Sequence, residues 1–287
     1  MISVVIPTFQ RPDRIREAVA RIAAVDFPAD QYEIVVVDDG SEPPLDAATL
    51  RSPPNVALTL VRMPHGGCGA ARNAGVARAR GELIVFTADD CEPERDWLRA
   101  FATAHAEFPE CALGGEILHG LPDNPYSTAA DLLIRYMRHR FNDDPQRANF
   151  FTPNNLAVPA ASFRVLGGFD QRFDSAGEDL DFCARWVEAG HRMFHVPQAQ
   201  VRHVHPLSLV AFLRLQFIHG RGSMLHRRVR SRRSGRPLRL EGLDFYLRLI
   251  TYPLSAPGVY GFRHIALLAA SQIAVAAGAV RALFEER

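Results

Sequence analysis

The sequence predicts an α/β fold with a mainly parallel sheet flanked by helices, followed by a helical C-terminal appendage. In the first half, short runs rich in valine and isoleucine alternate with stretches whose apolar residues recur at helical spacing, which indicates βαβ units. The run at 34–37 is Ile-Val-Val-Val and stops at two aspartates, as expected of a strand buried on both faces. Ligands of such sheets bind beyond the carboxyl ends of the strands.

The individual elements follow from this pattern. Strands are predicted at 3–7, 32–37, 56–62, 83–87, 111–118 and 154–159. Helices are predicted at 11–25, 69–80, 95–108, 128–141 and 179–188, with a turn at 167–170. In the first helix, a stripe of apolar side chains should pack on the sheet, namely Ile15, Ala18, Val19 and Ile22.

The character of the chain changes after residue 206. We expect one domain at 1–206 and a helical appendage at 207–287, which contains an arginine-rich segment at 227–239. The stretch at 265–280 is almost wholly apolar but shorter than the roughly 20 residues of a spanning helix. We therefore expect it not to cross a membrane.

Charge and cysteine content narrow the class of protein. The formal net charge of +1 argues against a polyanionic partner such as nucleic acid. The four cysteines lack the spacing of a disulfide scaffold or a thiolate zinc site. No basic and apolar leader precedes the first predicted strand, so we expect a cytoplasmic protein.

Three acidic pairs mark the ends of predicted elements: Asp38-Asp39, Asp89-Asp90 and Glu178-Asp179. The first two follow strands that we expect to be neighbours, and the third begins a helix. Carboxylates at such positions can accept bonds from a nucleoside or bind hard cations such as Mg²⁺ and Mn²⁺. Each pair alone is also compatible with an ordinary turn or helix cap. Three pairs around one crevice favour a binding site.

The ordered motifs resemble those of family 2 glycosyltransferases. The matching segments are 4–9 (VVIPTF), 36–41 (VVDDGS), 69–75 (GAARNAG), 81–91 (GELIVFTADDC), 167–170 (GGFD) and 177–181 (GEDLD). The resemblance covers roughly residues 2–206. It implies a GT-A, Rossmann-like fold and inverting transfer of a sugar from a nucleotide-sugar donor, with a nucleotide-binding part at about 1–91 and an acceptor-binding part at about 92–206.

The resemblance also implies roles for single residues. The donor nucleotide would be bound by Pro7, Thr8, Phe9, Asp39, Arg72 and Asp89. Asp39 with Arg72 is similar to an arrangement that binds uracil, which favours a UDP-sugar. Asp90 would bind the divalent metal, Mn²⁺ or Mg²⁺. The first acid of the family's Asp-x-Asp motif is here Ala88, so either Asp89 substitutes for it or metal affinity is weaker.

The acceptor side follows from the same resemblance. Asp179 would be the base that deprotonates the attacking hydroxyl, and Glu178 would orient the acceptor. The acceptor itself would contact Asn155, Gly168 and Phe169. Some related enzymes complete the metal shell with a histidine, so His203 or His205 is a candidate ligand, although an isolated pair like this is more often structural.

Several alternatives stay open. A non-catalytic sugar-nucleotide or glycan-binding protein is compatible with Ala88. A nucleotidyltransferase has little support because no glycine-rich, lysine-bearing signature lies near the first strand. A dehydrogenase has little support because the glycine-rich stretch at 65–69 has neither the position nor the spacing of a dinucleotide-binding motif. The acceptor is expected to be a glycan or a lipid-linked glycan. The arginine-rich segment and the last helix could hold the protein at the inner face of the cell membrane, or pack within the protein or in a homodimer.

Overall fold

The computed structural model describes residues 1–53, 55–142, 144, 148–235, 237–238, 240–258 and 260–285. These ranges contain one eight-stranded sheet. Its strands are β1 (Ile2–Thr8), β2 (Tyr32–Asp38), β3 (Ala57–Arg62), β4 (Leu83–Thr87), β5 (Cys91–Pro93), β6 (Ala112–His119), β7 (Asn155–Pro159) and β8 (Met193–His203).

Helices cover both faces of the sheet and form the C-terminal part. They are α1 (Pro12–Ile22), α2 (Cys68–Arg78), α3 (Trp97–Glu107), α4 (Pro125–Phe141), α5 (Ala160–Val165), α6 (Glu178–Glu188), α7 (Leu209–Ser234), α8 (Leu243–Thr251) and α9 (Phe262–Leu283). Every predicted element is present, with bounds that differ by a few residues. The short β5 and α5 and the long β8 were not predicted.

The strand order is β3-β2-β1-β4-β7-β6-β8-β5. β1 pairs in parallel with β2 and β4, whereas β7 runs antiparallel to β4 and β6, and β5 antiparallel to β8. This confirms a mixed α/β sheet. It also corrects one expectation, because β2 and β4, which precede the two aspartate pairs, are not neighbours. β1 lies between them, so Thr8, the last residue of β1, lies between the two aspartate pairs.

Burial on both faces explains why the central strands are apolar throughout. All residues of β1, β2 and β4 are buried. On one face, the predicted stripe of α1 packs into the core through Ile15, Val19 and Ile22, which are fully buried. The opposite face is covered by aromatic side chains such as Phe86, Phe182 and Trp186. The two layers fix the sheet edge at which the strand ends meet.

The C-terminal helices pack tightly on the rest of the chain. Gly220 of α7 and Gly278 of α9 allow the two backbones to touch, because a Cβ at either position would overlap a carbonyl oxygen of the other helix. Asp181 of α6 accepts a bond from Arg233 of α7 at 2.8 Å. α7 is therefore held against α6. The division at residue 206 remains a prediction.

The arginine-rich segment is largely engaged inside the protein. Arg228 donates to the carbonyl of Ala282 at 2.7 Å, and Arg230 pairs with Glu188 at 2.9 Å. Arg236 and Arg239 lie outside the described residues. Fewer of these charges are thus available to a lipid surface than the sequence indicates, and membrane association and a homodimer both stay predictions.

α9 is longer than the sequence predicts. It has 22 residues, is apolar enough to cross a membrane by length and composition, and has 22% of its most apolar window buried. The argument from shortness therefore does not hold. Most of that window is not buried, although α9 packs along α7. The expectation that this segment does not cross a membrane stays a prediction.

We expect Gly278→Ala to destabilise the protein by about 1–3 kcal/mol, the typical cost of overpacking. Alanine normally favours a helix over glycine, so a loss of stability would report the contact with Phe217 of α7. Ala276→Ser, which also adds one heavy atom but at an exposed position of α9, should cost only about 0.5 kcal/mol. Denaturant unfolding measures both; equal effects would contradict the close α7–α9 contact.

Candidate functional site

Thr8 joins the two aspartate pairs at the carboxyl end of β1. Its hydroxyl donates to Asp89 Oδ2 at 2.8 Å, and its carbonyl accepts from the amide of Asp39 at 3.0 Å. This places Thr8, Asp39 and Asp89, three of the residues predicted to bind the donor, side by side. Pro7 is buried inside β1 opposite Val37, so it shapes the strand end and does not present its ring to a ligand.

The aspartates of the first pair have different roles. Asp38 closes its own turn, accepting from the amides of Ser41 at 3.0 Å and Leu45 at 2.9 Å. The carboxylate of Asp39 instead accepts from the amides of Gly66 at 2.8 Å and Gly67 at 3.0 Å. Asp39 Oδ1 keeps a second lone pair for a ligand, whereas Oδ2 also lies 2.9 Å from His65 Nδ1.

Gly67 has to be glycine for this arrangement. Its φ is +86°, and a Cβ would overlap the carbonyl oxygen of Asp174. The loop at 65–69 is therefore a support for Asp39 and the start of α2, and it is not a dinucleotide-binding turn.

An aromatic pair stands beside Asp39. The rings of Phe9 and His65 are stacked with centroids 4.1 Å apart, and the His65 ring also lies 2.9 Å from Asp39 Oδ2. Phe9 is 40% exposed. A flat, exposed aromatic surface next to a hydrogen-bonding carboxylate suits a planar heterocycle. His65 was not predicted as a site residue; it is the first residue of the stretch at 65–69, whose glycines dominated the sequence pattern.

Arg11 connects the second aspartate pair and was also missed from the sequence. Its Nη1 donates to Asp89 Oδ1 at 3.1 Å and lies 3.4 Å from Asp90 Oδ2. The sequence could have indicated Arg11, because it is a cationic residue in the loop directly after the first strand. With 47% of its side chain exposed, Arg11 can turn toward an anionic ligand at this place.

The pKa values of the two neighbouring carboxylates, Asp89 and Asp90, are shifted in opposite directions. Burial, reinforced by the charge of Asp90, raises the pKa of Asp89. Burial alone would raise the pKa of Asp90 as well, but the hydrogen bond from His203 and the charges of His203, His205 and Arg11 outweigh it and lower that pKa to about 2. Asp90 is thus held as an anion among cationic or nitrogen-bearing side chains.

Asp90, His203 and His205 form a cluster that could hold a metal ion. Their ligand atoms lie within 4.8 Å of one another. His203 Nε2 lies 3.4 Å from Asp90 Oδ1, and His205 Nδ1 lies 3.4 Å from Asp90 Oδ2. The backbone holds the set together, since the amide of Val204 donates to the carbonyl of Asp90 at 2.8 Å. β8, which was not predicted, ends at His203 and brings both histidines to the aspartate.

Ala88, at the place of the family's first acid, packs against the apolar core. Asp89, which could have replaced that acid, bonds to Thr8 and Arg11 and is absent from the cluster of possible metal ligands. The two aspartates therefore differ in surroundings: Asp89 faces β1, and Asp90 faces the histidines.

Arg72 and Glu178 form a buried ion pair across the cleft. Arg72 Nη1 donates to Glu178 Oε1 at 3.0 Å, with the two side chains 5% and 12% exposed. The guanidinium lies over the ring of Phe169 at 5.6 Å, and its Nε has no described partner. Arg72 thus connects α2, on the nucleotide side, to the start of α6.

Asp179 follows Glu178 at the first turn of α6. Its Oδ1 accepts from the amide of Leu180 at 2.8 Å. Burial, together with the adjacent charge of Glu178, raises the pKa of Asp179 to about 7. A carboxylate with a pKa near neutrality is suited to accept a proton.

The residues predicted to bind the acceptor are placed differently. Asn155 is 1% exposed and fully engaged, because it accepts from Trp97 Nε1 at 2.8 Å and donates to the carbonyl of Ala199 at 2.7 Å. Phe169 is 1% exposed in the aromatic core, and Gly168 forms a turn with φ +66° against Asn73. These positions support the cleft and are not available as acceptor contacts in this structure.

One wall of the cleft is formed by α7, which belongs to the predicted C-terminal appendage. His219 of α7 is close enough to Glu178 and His205 for their charges to act on it. β6 and α4 close the same side: His119 at the end of β6 and Asp131 of α4 line a cavity that His203 and His205 also line. Leu207 borders both this cavity and a wider groove of about 430 Å³ formed by residues 120–126.

The sequence and the fold are both similar to those of known proteins. The model of the family described as "Glycosyl transferase family 2" matches residues 3–167. The chain therefore belongs to glycosyl transferase family 2, as its motifs predicted. The match ends before Asp179 and before both histidines.

Particular relatives and structures agree with this family. The chain is 29% identical over 253 residues to a pre-mycofactocin glycosyltransferase of Mycobacterium tuberculosis, covering 84% of this chain and 50% of that protein. It is 24% identical over 194 residues to glycosyltransferase AglE of Haloferax volcanii, covering 67% and 63%. The chain thus spans about half to two thirds of the length of these relatives.

Two solved structures share the fold. A mannosyltransferase from Pyrobaculum calidifontis in complex with GDP-Man and Mn²⁺ has a TM-score of 0.69 at 20% identity, covering 100% of this chain and 88% of that one. S. aureus TarS 1-349 in complex with UDP-GlcNAc has a TM-score of 0.53 at 18% identity, covering 97% and 89%. They confirm the glycosyltransferase fold predicted from the sequence.

We expect His203→Ala and His205→Ala each to lower Mn²⁺ affinity by at least about tenfold, because each removes one nitrogen ligand from a three-residue set. His139→Ala, at an exposed position of α4, is the matched control and should bind Mn²⁺ like the wild type. Electron paramagnetic resonance of free Mn²⁺ measures the affinity. Unchanged affinity in both cleft variants would remove the histidines from the metal site.

Proposed function

We propose that this protein is an inverting glycosyltransferase that moves a sugar from a nucleoside-diphosphate sugar to an acceptor hydroxyl. The observation that carries the proposal is the cluster of Asp90, His203 and His205, with His219 within range of the charges of both His205 and Glu178, the neighbour of Asp179. We assign the metal cluster to the leaving diphosphate, Asp39 to the nucleoside, and Asp179 to the attacking hydroxyl.

The nucleoside is assigned to the surface formed by Phe9, His65 and Asp39. A planar base can stack against the exposed aromatic pair, and the free lone pairs of Asp39 can accept an imide N–H. Uracil has such an N–H, as do thymine and guanine. We propose UDP as the carrier because Asp39 with Arg72 is similar to an arrangement that binds uracil. The Arg11 guanidinium, now shared between Asp89 and Asp90, is placed to turn toward the diphosphate.

The donor set of the metal cluster fits Mn²⁺ better than Mg²⁺. One ionised carboxylate and two imidazoles lie together, and imidazole nitrogen is a poorer ligand for Mg²⁺ than carboxylate and phosphate oxygen. Asp90, His203 and His205 would hold the ion, and diphosphate oxygens would complete its shell. When bound, the metal ion offsets the charge that develops on the leaving diphosphate.

The proton leaves through Asp179. The acceptor hydroxyl attacks the anomeric carbon, the bond from that carbon to the diphosphate oxygen breaks, and the hydroxyl proton passes to the Asp179 carboxylate. Glu178 is fixed by Arg72 at 3.0 Å, which holds the start of α6 and thereby Asp179 at a constant place. The acceptor approaches from the α4 and α7 side, where the groove at 120–126 is open. We propose a glycan or a lipid-linked glycan as this acceptor.

We expect UDP to bind tightly only with Mn²⁺, and Asp90→Ala to abolish this binding by removing the anionic metal ligand. Calorimetric titration of UDP, GDP and TDP, with and without Mn²⁺, measures it. Glu92→Gln, which removes an acid close in sequence but paired with Arg21, should bind UDP like the wild type. Absence of binding by all three diphosphates would contradict the proposal, and binding without hydrolysis of any sugar nucleotide would favour the non-catalytic binding protein.

We expect the transfer rate to rise with pH through about 7 and to level off above it, because only the ionised form of Asp179 accepts a proton. Asp179→Asn should lower kcat by roughly 100-fold or more and remove this limb, while UDP binding persists. Glu188→Gln, at the far end of the same helix, is the control. A pH profile of kcat/KM decides; the same limb in the Asp179 variant would assign the base elsewhere.

A further inference from the structure

A small enclosed cavity lies between α4 and α7, next to the metal cluster. Its volume is about 60 Å³. It is lined on one side by His203 and His205 and on the other by His119 at the end of β6, Asp131 of α4, and Gln216 and His219 of α7. Leucine, isoleucine and alanine side chains complete the wall. The cavity is therefore an extension of the cleft, away from the nucleotide side.

Two of its polar side chains have hydrogen-bonding capacity left over within the described part of the chain. Gln216 is 4% exposed and lines the cavity, and its carboxamide is not among the buried groups that lack a partner, so its polar atoms reach the cavity space. Asp131 is 12% exposed at its side chain, and its Oδ2 has no described hydrogen-bond partner. The Arg135 guanidinium, 3.7 Å from that oxygen, donates instead to the Tyr260 hydroxyl at 2.8 Å.

Such groups are costly unless something bonds to them. A buried polar group without a partner costs about 1–3 kcal/mol. Gln216 also lies four residues from both Phe212 and Gly220, on the buried face of α7 where an apolar side chain would pack at no such cost. A carboxamide at this place favours a polar occupant of the cavity, and a ligand group that offers both a donor and an acceptor would suit it.

The chemistry of the lining restricts this ligand. None of the described residues that line the cavity is lysine or arginine, and Asp131 brings a carboxylate, so a phosphate or carboxylate group is disfavoured. The volume corresponds to about two water molecules, which is less than a sugar ring requires. A short neutral substituent of a ring, part polar and part apolar, matches both size and lining.

Resting on the proposed function, we infer that this cavity is a sugar-specificity pocket in which Asp131 and Gln216 bind an acetamido or hydroxymethyl substituent of the reacting sugar. Gln216 can both donate to and accept from either substituent, and the apolar wall suits the methyl group of an acetamide. The substituent belongs either to the sugar being transferred or to the terminal sugar of the acceptor.

The test uses three matched sugars on the full chain: methyl glycosides of N-acetylglucosamine, glucose and xylose, the last lacking both substituents. Ligand-observed nuclear magnetic resonance measures binding at millimolar concentrations, with and without UDP and Mn²⁺. A parallel arm measures competition of the corresponding UDP-sugars against UDP. The variants are Gln216→Leu and Asp131→Asn, which preserve side-chain volume, and the control is Gln272→Leu on α9, with thermal unfolding to confirm folding.

We expect the wild type and the control to prefer one of the substituted sugars over xylose by about tenfold, the worth of about 1.4 kcal/mol, and both cavity variants to lose this preference. Loss in the glycoside arm assigns the pocket to the acceptor, and loss in the UDP-sugar arm assigns it to the donor. Equal binding of all three sugars, or a preference that survives in both variants, overturns the inference. UDP titration on the same samples reports the proposed function separately, because glycoside binding without UDP binding would contradict only the latter.

Discussion

Several acids are buried at the carboxyl ends of β1 and its two neighbours, and the burial of like charges in one cleft is the constraint on which the rest of the site depends. Asp39, Asp89 and Asp90 are each less than a tenth exposed. Uncompensated, carboxylates in such a place would be strongly destabilising. The buried charge of each carboxylate is compensated by different partners. These partners indicate which kind of ligand each carboxylate suits.

Asp39 is stabilised by backbone amides, Asp89 by the Thr8 hydroxyl and Arg11, and Asp90 by two histidines and Arg11. Amides and a hydroxyl leave lone pairs for a neutral ligand, whereas imidazoles beside an ionised carboxylate form a metal-binding set. The proposed nucleoside and metal sites therefore differ in how their acids are compensated, although all three acids lie at one sheet edge.

The C-terminal helices complete the cleft. α7 is anchored by close backbone contact with α9 and by the bond from Arg233 to Asp181, two residues from the proposed base. The same helix carries Gln216 and His219 to the α4 side of the metal cluster. The packing of α7 therefore affects the shape of the cavity beside the metal cluster. A substitution that disturbs the α7–α9 contact would also shift Gln216 and His219.

The sequence by itself determined the fold class, most strand and helix positions, and the residues of the nucleotide half. Apolar periodicity and strand-end motifs are local properties, and they identified Thr8, Asp39 and Asp90 because these residues adjoin buried strands. Long apolar strands at the centre of a sheet leave little choice of conformation.

Only the tertiary structure decided what meets across the cleft. β1 separates the two aspartate pairs, β8 returns His203 and His205 to Asp90, and Arg72 pairs with Glu178 from 106 positions away. It also buries Asn155 and Phe169 and places Gln216 in the wall of the cavity beside His203 and His205. These relations depend on strand order and on helix contacts between distant segments, for which a single sequence carries no periodic signal.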